Sequence, residues 1–219
     1  MVPQLDSVSL LLDHGVSVDT HMPLHLTVYS WGPGSDALVR LLVARGADLD
    51  AKDTSGTTPL LMAAGFLRAR AVNTLLALGA NVNAKDASGI SPLRRALRGD
   101  YGQNMAVIEA LVAGGADMDA CGALHSAANM ENLEAVEVLV RAGADLTARG
   151  PDFWMLVPTR GVRRETGPEY VPMTALEVFE LKWRKYCPLE EERDAYEIVG
   201  QVGRADRWRR ITELLTPRV

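Results

Sequence analysis

The chain has 219 residues, 47% hydrophobic and 23% charged, the balance of a globular protein that can bury a core. Its formal charge of −5 lies wholly within residues 1–150, and no basic stripe is present to hold nucleic-acid phosphates. No apolar run reaches the roughly 18 residues that span a bilayer, and no basic leader precedes Leu10-Leu11-Leu12 as a signal peptide would require.

Cys121 and Cys187 show neither CxxC spacing nor a disulfide framework, which suits a reducing compartment. The expected location is therefore the cytoplasm, with the nucleus as its alternative. In chain order, LLLDHGVSVD (10–19) is followed by MPLHLTV (22–28), RLLVARGADLDAKD (40–53), TPLLMAA (58–64) and TLLALGANVNAKD (74–86). Then come SPLRRAL (91–97), ALVAGGADMDA (110–120), GALHSAA (122–128), VLVRAGADLTA (138–148) and TALEVFE (174–180). Two kinds of segment alternate, so the chain is an array of one repeated unit.

The first kind opens at Pro or Ala and reads as a short helix, with Pro59 and Pro92 in a first turn where no N–H is missed. Its small Ala63-Ala64 and Ala127-Ala128 pairs allow close approach to neighbours. The second kind carries apolar residues at helical spacing: Leu38, Leu41, Leu42; Val72, Leu75, Leu76; Val136, Leu139, Val140. Each ends at a glycine (46, 79, 115, 143), where a helix C-terminus favours positive φ. From residue 190 a Glu190-Glu191-Glu192 run reads as the acidic start of a helix. A last helix at about 205–215 would pack Trp208, Ile211 and Leu215 and leave Arg204, Arg207, Arg209 and Arg210 in solvent, as an end cap does.

The connections are uneven. Gly46 and Pro59 lie 13 residues apart, as do Gly79 and Pro92; Gly15 to Pro23 and Gly115 to Ala123 span 8, and Gly143 to Ala175 spans 32. The turns YSWGPGS (29–35) and RGDYGQN (98–104) each carry an insertion with an aromatic residue. The long connection holds Phe153, Trp154, Met155, Leu156, Val157 and Tyr170, too apolar for a solvated linker, and four prolines that forbid a long helix. It reads as an ordered flap anchored by Trp154, with Arg160, Arg163 and Arg164 at its rim. The plainer account makes it a cover for core left open by an imperfect repeat.

DTSGTTPLLMAA with VNTLLALGANVNA (53–84), and DASGISPL (86–93) after it, resemble the ankyrin repeat family. The likeness is strong over residues 9–150, resumes at 173 and fades after about 187. It implies a mainly α ankyrin-repeat solenoid of helix pairs with β-hairpin fingers, about four complete repeats plus altered ends. The whole of 1–219 is then one domain: a partial repeat at 1–19, regular repeats at 20–149, the flap at 150–172, and a divergent repeat with its cap at 173–219. Regular hairpins are expected at about 47–58 and 80–91, curtailed at 16–22 and 116–122.

The resemblance also implies that partners meet the fingers and the ends of the first helices. Carried over by register, those positions are Tyr29, Phe66, Arg98, Asn129, Met130 and Lys182, with Lys52, Thr54 and Lys85 on the fingers. Trp31, Tyr101, Trp154 and Arg160 join them from the inserted segments. Aromatics, Met and Arg are the types enriched in interface cores. His25 and His125 are expected to be structural, each ring bonded to neighbouring backbone.

No nucleophile, phosphate-loop, dinucleotide or zinc motif is present in the sequence, so no cofactor, metal or catalytic residue is assigned. The leading reading is a non-catalytic module that holds a protein or peptide segment in a concave groove. A second is a binder of a small apolar or carboxylate-bearing molecule, or an enzyme, with a pocket closed by the flap. A third is a fragment of a larger ankyrin protein, since Leu5–His14 reads as a second helix without its first. The face Val8, Leu11 and Leu12 would then pack alone or against another chain.

Overall fold

A computed structural model of the chain describes residues 8, 10, 13–14, 22–98, 104–119, 122–148, 174–186 and 202–216, the side chains of 181–186, 202–206 and 208 excepted. It divides into two compact units, Met1–Asp117 and Met118–Val219, each described by itself.

In the first unit the paired segments form helices α1 (Pro23–Tyr29) and α2 (Ser35–Ala44), α3 (Pro59–Gly65) and α4 (Ala69–Ala77), and α5 (Pro92–Leu97) and α6 (Met105–Ala113). Before α3, Thr58 Oγ1 accepts the Leu61 N–H at 3.3 Å, and before α5, Ser91 Oγ accepts that of Arg94 at 3.3 Å. Each cap satisfies an otherwise orphan donor, and Pro59 and Pro92 follow at the first helical position. Helices this short are unstable alone, so packing must hold them. The first helices pack in the order α1, α3, α5 and the second in the order α2, α4, α6, each pair also packing internally.

Fully buried Leu60, Leu61, Ala63 and Ala64 of α3 meet fully buried Val72 and Leu75 of α4. A buried Leu is worth about 1.5–3 kcal/mol, and the alanines let the neighbouring helices close on one another. On α2 the deepest pair is Val39 and Leu42, whereas Leu38 and Leu41 are half-buried. Asp36 of α2 accepts the Thr74 hydroxyl of α4. The second helices close alike: Ala47 N–H reaches Leu42 O, Ala80 N–H reaches Leu75 O and Ala116 N–H reaches Leu111 O, each at 3.0 Å. That Schellman closure needs a left-handed residue, supplied by Gly46, Gly79 and Gly115 at φ 94, 93 and 85.

The fingers reverse where expected but form no strand among the described residues. Asp53 Oδ1 accepts the Ser55 and Thr57 N–H groups at 2.8 Å each and the Ser55 hydroxyl at 2.7 Å. Asp86 Oδ1 likewise accepts Ser88 N–H at 2.8 Å and Ile90 N–H at 2.9 Å. Of a hairpin ladder only Asp53 N–H to Thr57 O (3.0 Å) and Asp86 N–H to Ile90 O (3.2 Å) form. The carboxylates occupy donors that a longer ladder would use. Neighbouring fingers join through Ala87 N–H to Ser55 O at 3.1 Å and through Asn81 N–H to Asp50 Oδ1 at 3.0 Å.

The second unit holds α7 (Ala123–Asn129), α8 (Leu133–Arg141), α9 (Ala175–Tyr186) and α10 (Val202–Leu215). α7 packs on α8 and α9, and both of those touch α10. Leu124, Val136, Leu139, Val178, Phe179, Ile211 and Leu215 form its core. α10 begins earlier than the expected 205, and Ile211 and Leu215 face inward as the cap reading requires, with Arg207, Arg209 and Arg210 exposed. Arg210 reaches Glu213 at 3.2 Å and Glu137 of α8 at 3.7 Å. Residues 150–172, with the flap, and Cys121, Cys187 and Glu190-Glu191-Glu192 lie outside the described residues.

Candidate functional site

α1 buries Leu24, His25, Thr27 and Val28, which leaves Leu26 and Tyr29, one turn apart, on the opposite side. They are 58% and 64% exposed, so this face is not part of the core. Phe66, just past the end of α3, is 49% exposed and lies edge-on to Tyr29, the ring centroids 5.7 Å apart at 75°. Edge-to-face is the arrangement the ring quadrupoles favour.

The chain then turns at Leu67, a non-glycine residue at φ 55. Arg68 N–H closes back on Ala63 O at 3.0 Å, which returns the Arg68 side chain toward the rings. Its guanidinium carbon stands 5.9 Å from the Phe66 centroid, and Nη2 donates to Tyr29 O at 3.1 Å. Arg68 therefore lies over the Phe66 ring by cation–π attraction and ties that ring to the Tyr29 backbone.

Along α5 the same face becomes cationic. Arg95 donates to Asp86 Oδ2 at 2.8 Å and to Thr57 Oγ1 at 3.2 Å. Burial pushes the Asp86 carboxyl up, but hydrogen bonds from Ile90, Arg95 and Ser88 outweigh it and hold the group below the usual carboxylate range. Arg98, at the end of α5, is exposed; its N–H donates to Arg95 O at 3.1 Å, while its guanidinium has no hydrogen bond or ion pair among the described residues.

Of the residues singled out from sequence, Tyr29 and Phe66 are brought into contact, and Arg98 lies at the matching register position at the end of α5. Lys52 and Lys85 are exposed on adjacent fingers, tied by Lys52 Nζ to Lys85 O at 3.1 Å. Thr54 is exposed at a finger turn, and Trp31 is half-buried in the α1–α2 connection. Asn129 and Met130 are half-buried at the end of α7, in the other unit. Tyr101, Trp154 and Arg160 lie outside the described residues, as does the Lys182 side chain on α9. His25 Nε2 lies 2.8 Å from Thr57 O, the backbone role expected of it.

Register reasoning missed Leu26, Met62 and Arg95. They lie one turn before Tyr29, Gly65 and Arg98, and counting back three positions on the same helices finds them. Arg68 carried no such signal, because its place depends on the left-handed turn at Leu67. Among the described residues no His, Cys, Asp and Glu group could hold a metal, and no helix is long and apolar enough to cross a membrane.

The family model for ankyrin repeats in three copies matches residues 3–86, and that for a single ankyrin repeat matches residues 121–151. Together they cover more than half of the chain. The chain belongs to the ankyrin repeat family. No curated protein matches it. Ankyrin repeats are generally protein–protein interaction modules.

Proposed function

We propose that this ankyrin repeat protein is a non-catalytic binding module that holds a protein segment against the face of α1, α3 and α5. The observation that carries this is the Tyr29–Phe66 edge-to-face pair, 64% and 49% exposed, with Arg68 over the Phe66 ring. Large apolar residues left in water beside a well-packed core mark an interaction surface, and pre-ordered aromatics cost little entropy to bind. Lys52 and Lys85 on the fingers would form its polar rim. The cytoplasm remains the proposed location, supported by the cysteine usage and checked by imaging a tagged chain.

A photo-crosslinking amino acid placed at position 66 should join to a partner protein in cells. At exposed Asn73 on α4 it should not. Equal crosslinking at both positions, or none at 66, refutes the assignment of the face.

A further inference from the structure

The first helices differ in chemistry from one end of their row to the other. α1 presents Leu26 and Tyr29, α3 presents Met62 and Phe66, and α5 presents Arg95 and Arg98. No acidic residue occurs in α1, α3 or α5, although the whole chain carries −5. Arg95 is neutralised by Asp86 at 2.8 Å, whereas Arg98 is not paired among the described residues. Between the rings and Arg98 the row passes Gly65, where an added Cβ would meet only Arg95 side-chain atoms at 3.7 and 3.9 Å. An apolar end, an open middle and a cationic end lie in line.

Resting on the proposed function, we infer that the occupant of this face is an extended acidic peptide segment with an apolar or aromatic anchor. The anchor seats against Tyr29 and Phe66, the chain crosses over Gly65, and a carboxylate pairs with Arg98. Guanidinium and carboxylate match in shape as well as charge. The span sets the spacing. Packed helices lie about 8–10 Å apart, so the α1–α3 seam is roughly 14 Å from α5. Extended chain rises about 3.3 Å per residue, which places the acid about four positions from the anchor. With no acidic residue on α1, α3 or α5, the Arg98 guanidinium favours an acidic partner over a basic one at this face.

The test is selection of binders from a random-peptide display library on the intact chain, followed by fluorescence anisotropy on the winning peptides. The expected winners carry an aromatic or large apolar residue with Asp or Glu three to five positions away. Arg98→Glu should weaken them about tenfold, the scale of a lost charge-assisted bond. Replacing the peptide acid by its amide should weaken binding similarly and remove most of the response to Arg98→Glu. Gly65→Leu should weaken the acid and amide peptides alike by blocking the crossing. All these positions are exposed, and thermal melts confirm that each variant is folded. Winners that depend on Phe66 but need no acid and ignore Arg98→Glu overturn this inference and leave the proposed face standing. Winners indifferent to Phe66→Ala and Gly65→Leu, or no enrichment, overturn both.

Discussion

Gly56 and Gly89 hold the same place in successive fingers and share a left-handed backbone, at φ 74 and 76. Their surroundings differ. A Cβ on Gly56 would stand 2.8 Å from the Ala87 backbone nitrogen, while one on Gly89 would meet nothing within 4 Å. Gly89→Ala should therefore cost only the conformational penalty of about 1–2 kcal/mol. Gly56→Ala should cost about 1–2 kcal/mol more, because it also displaces the Ala87–Ser55 hydrogen bond. Urea denaturation of the two variants checks this, and equal losses would show that the fingers do not touch in solution. The finger aspartates supply a pH dependence. Burial pushes the Asp53 carboxyl up, but hydrogen bonds from the Ser55 hydroxyl and the Thr57 and Ser55 N–H groups hold it low. Asp145 is held low chiefly by the Thr147 hydroxyl and N–H. A pKa lower in the folded than in the unfolded chain gives stability that is complete above the unfolded value, about pH 4. It is lost as pH falls through the lower folded values. Asp53→Asn keeps an acceptor oxygen and removes the charge, so it should flatten part of the acid-side decline in melting temperature.

Helix starts follow finger length. α3 and α5 follow full fingers and begin with capped Thr58 and Ser91 in extended backbone. α1 and α7 follow shortened connections and begin at Met22 (φ 51) and Gly122 (φ 61), with no side-chain cap. With fewer residues, the chain turns into the helix through a left-handed residue that cannot place a cap in the usual way. Thr58→Ala and Ser91→Ala should each cost about 1 kcal/mol. By NMR hydrogen exchange, the His25 amide at the matching place in α1 should exchange faster than those of Leu61 and Arg94. Similar protection at all three would show that capping does not control these starts.

Across the molecule, stability and recognition fall on different residues. Within the first unit each helix leans mainly on its neighbours in the row, as repeat arrays do. Leu75→Ala, in the fully buried α4 core, should cost about 2–5 kcal/mol. Phe66→Ala should cost only about 1 kcal/mol, because its ring is half exposed and loses chiefly one aromatic contact. Calorimetric melts of both variants test the division. A Phe66 loss as large as that of Leu75 would make the ring pair structural rather than available.

The repeat, the mainly α fold and the helix boundaries at Pro59, Pro92 and the closing glycines were legible in the sequence, because they express interactions between residues a turn or a few positions apart. The structural place of His25 was legible only through the resemblance to the ankyrin family, because its bond to Thr57 O spans 32 residues. Folding decided whether the fingers would carry strands, because the Asp53 and Asp86 carboxylates compete with the ladder for the same N–H groups. It also decided which glycine is crowded and which arginine is neutralised. Tyr29 and Phe66 are distant in sequence and meet only when α1 packs beside α3, and Arg68 reaches them only through the turn at Leu67. Periodicity determines which side of a helix faces outward; the offset between packed helices determines what the outward residues form together.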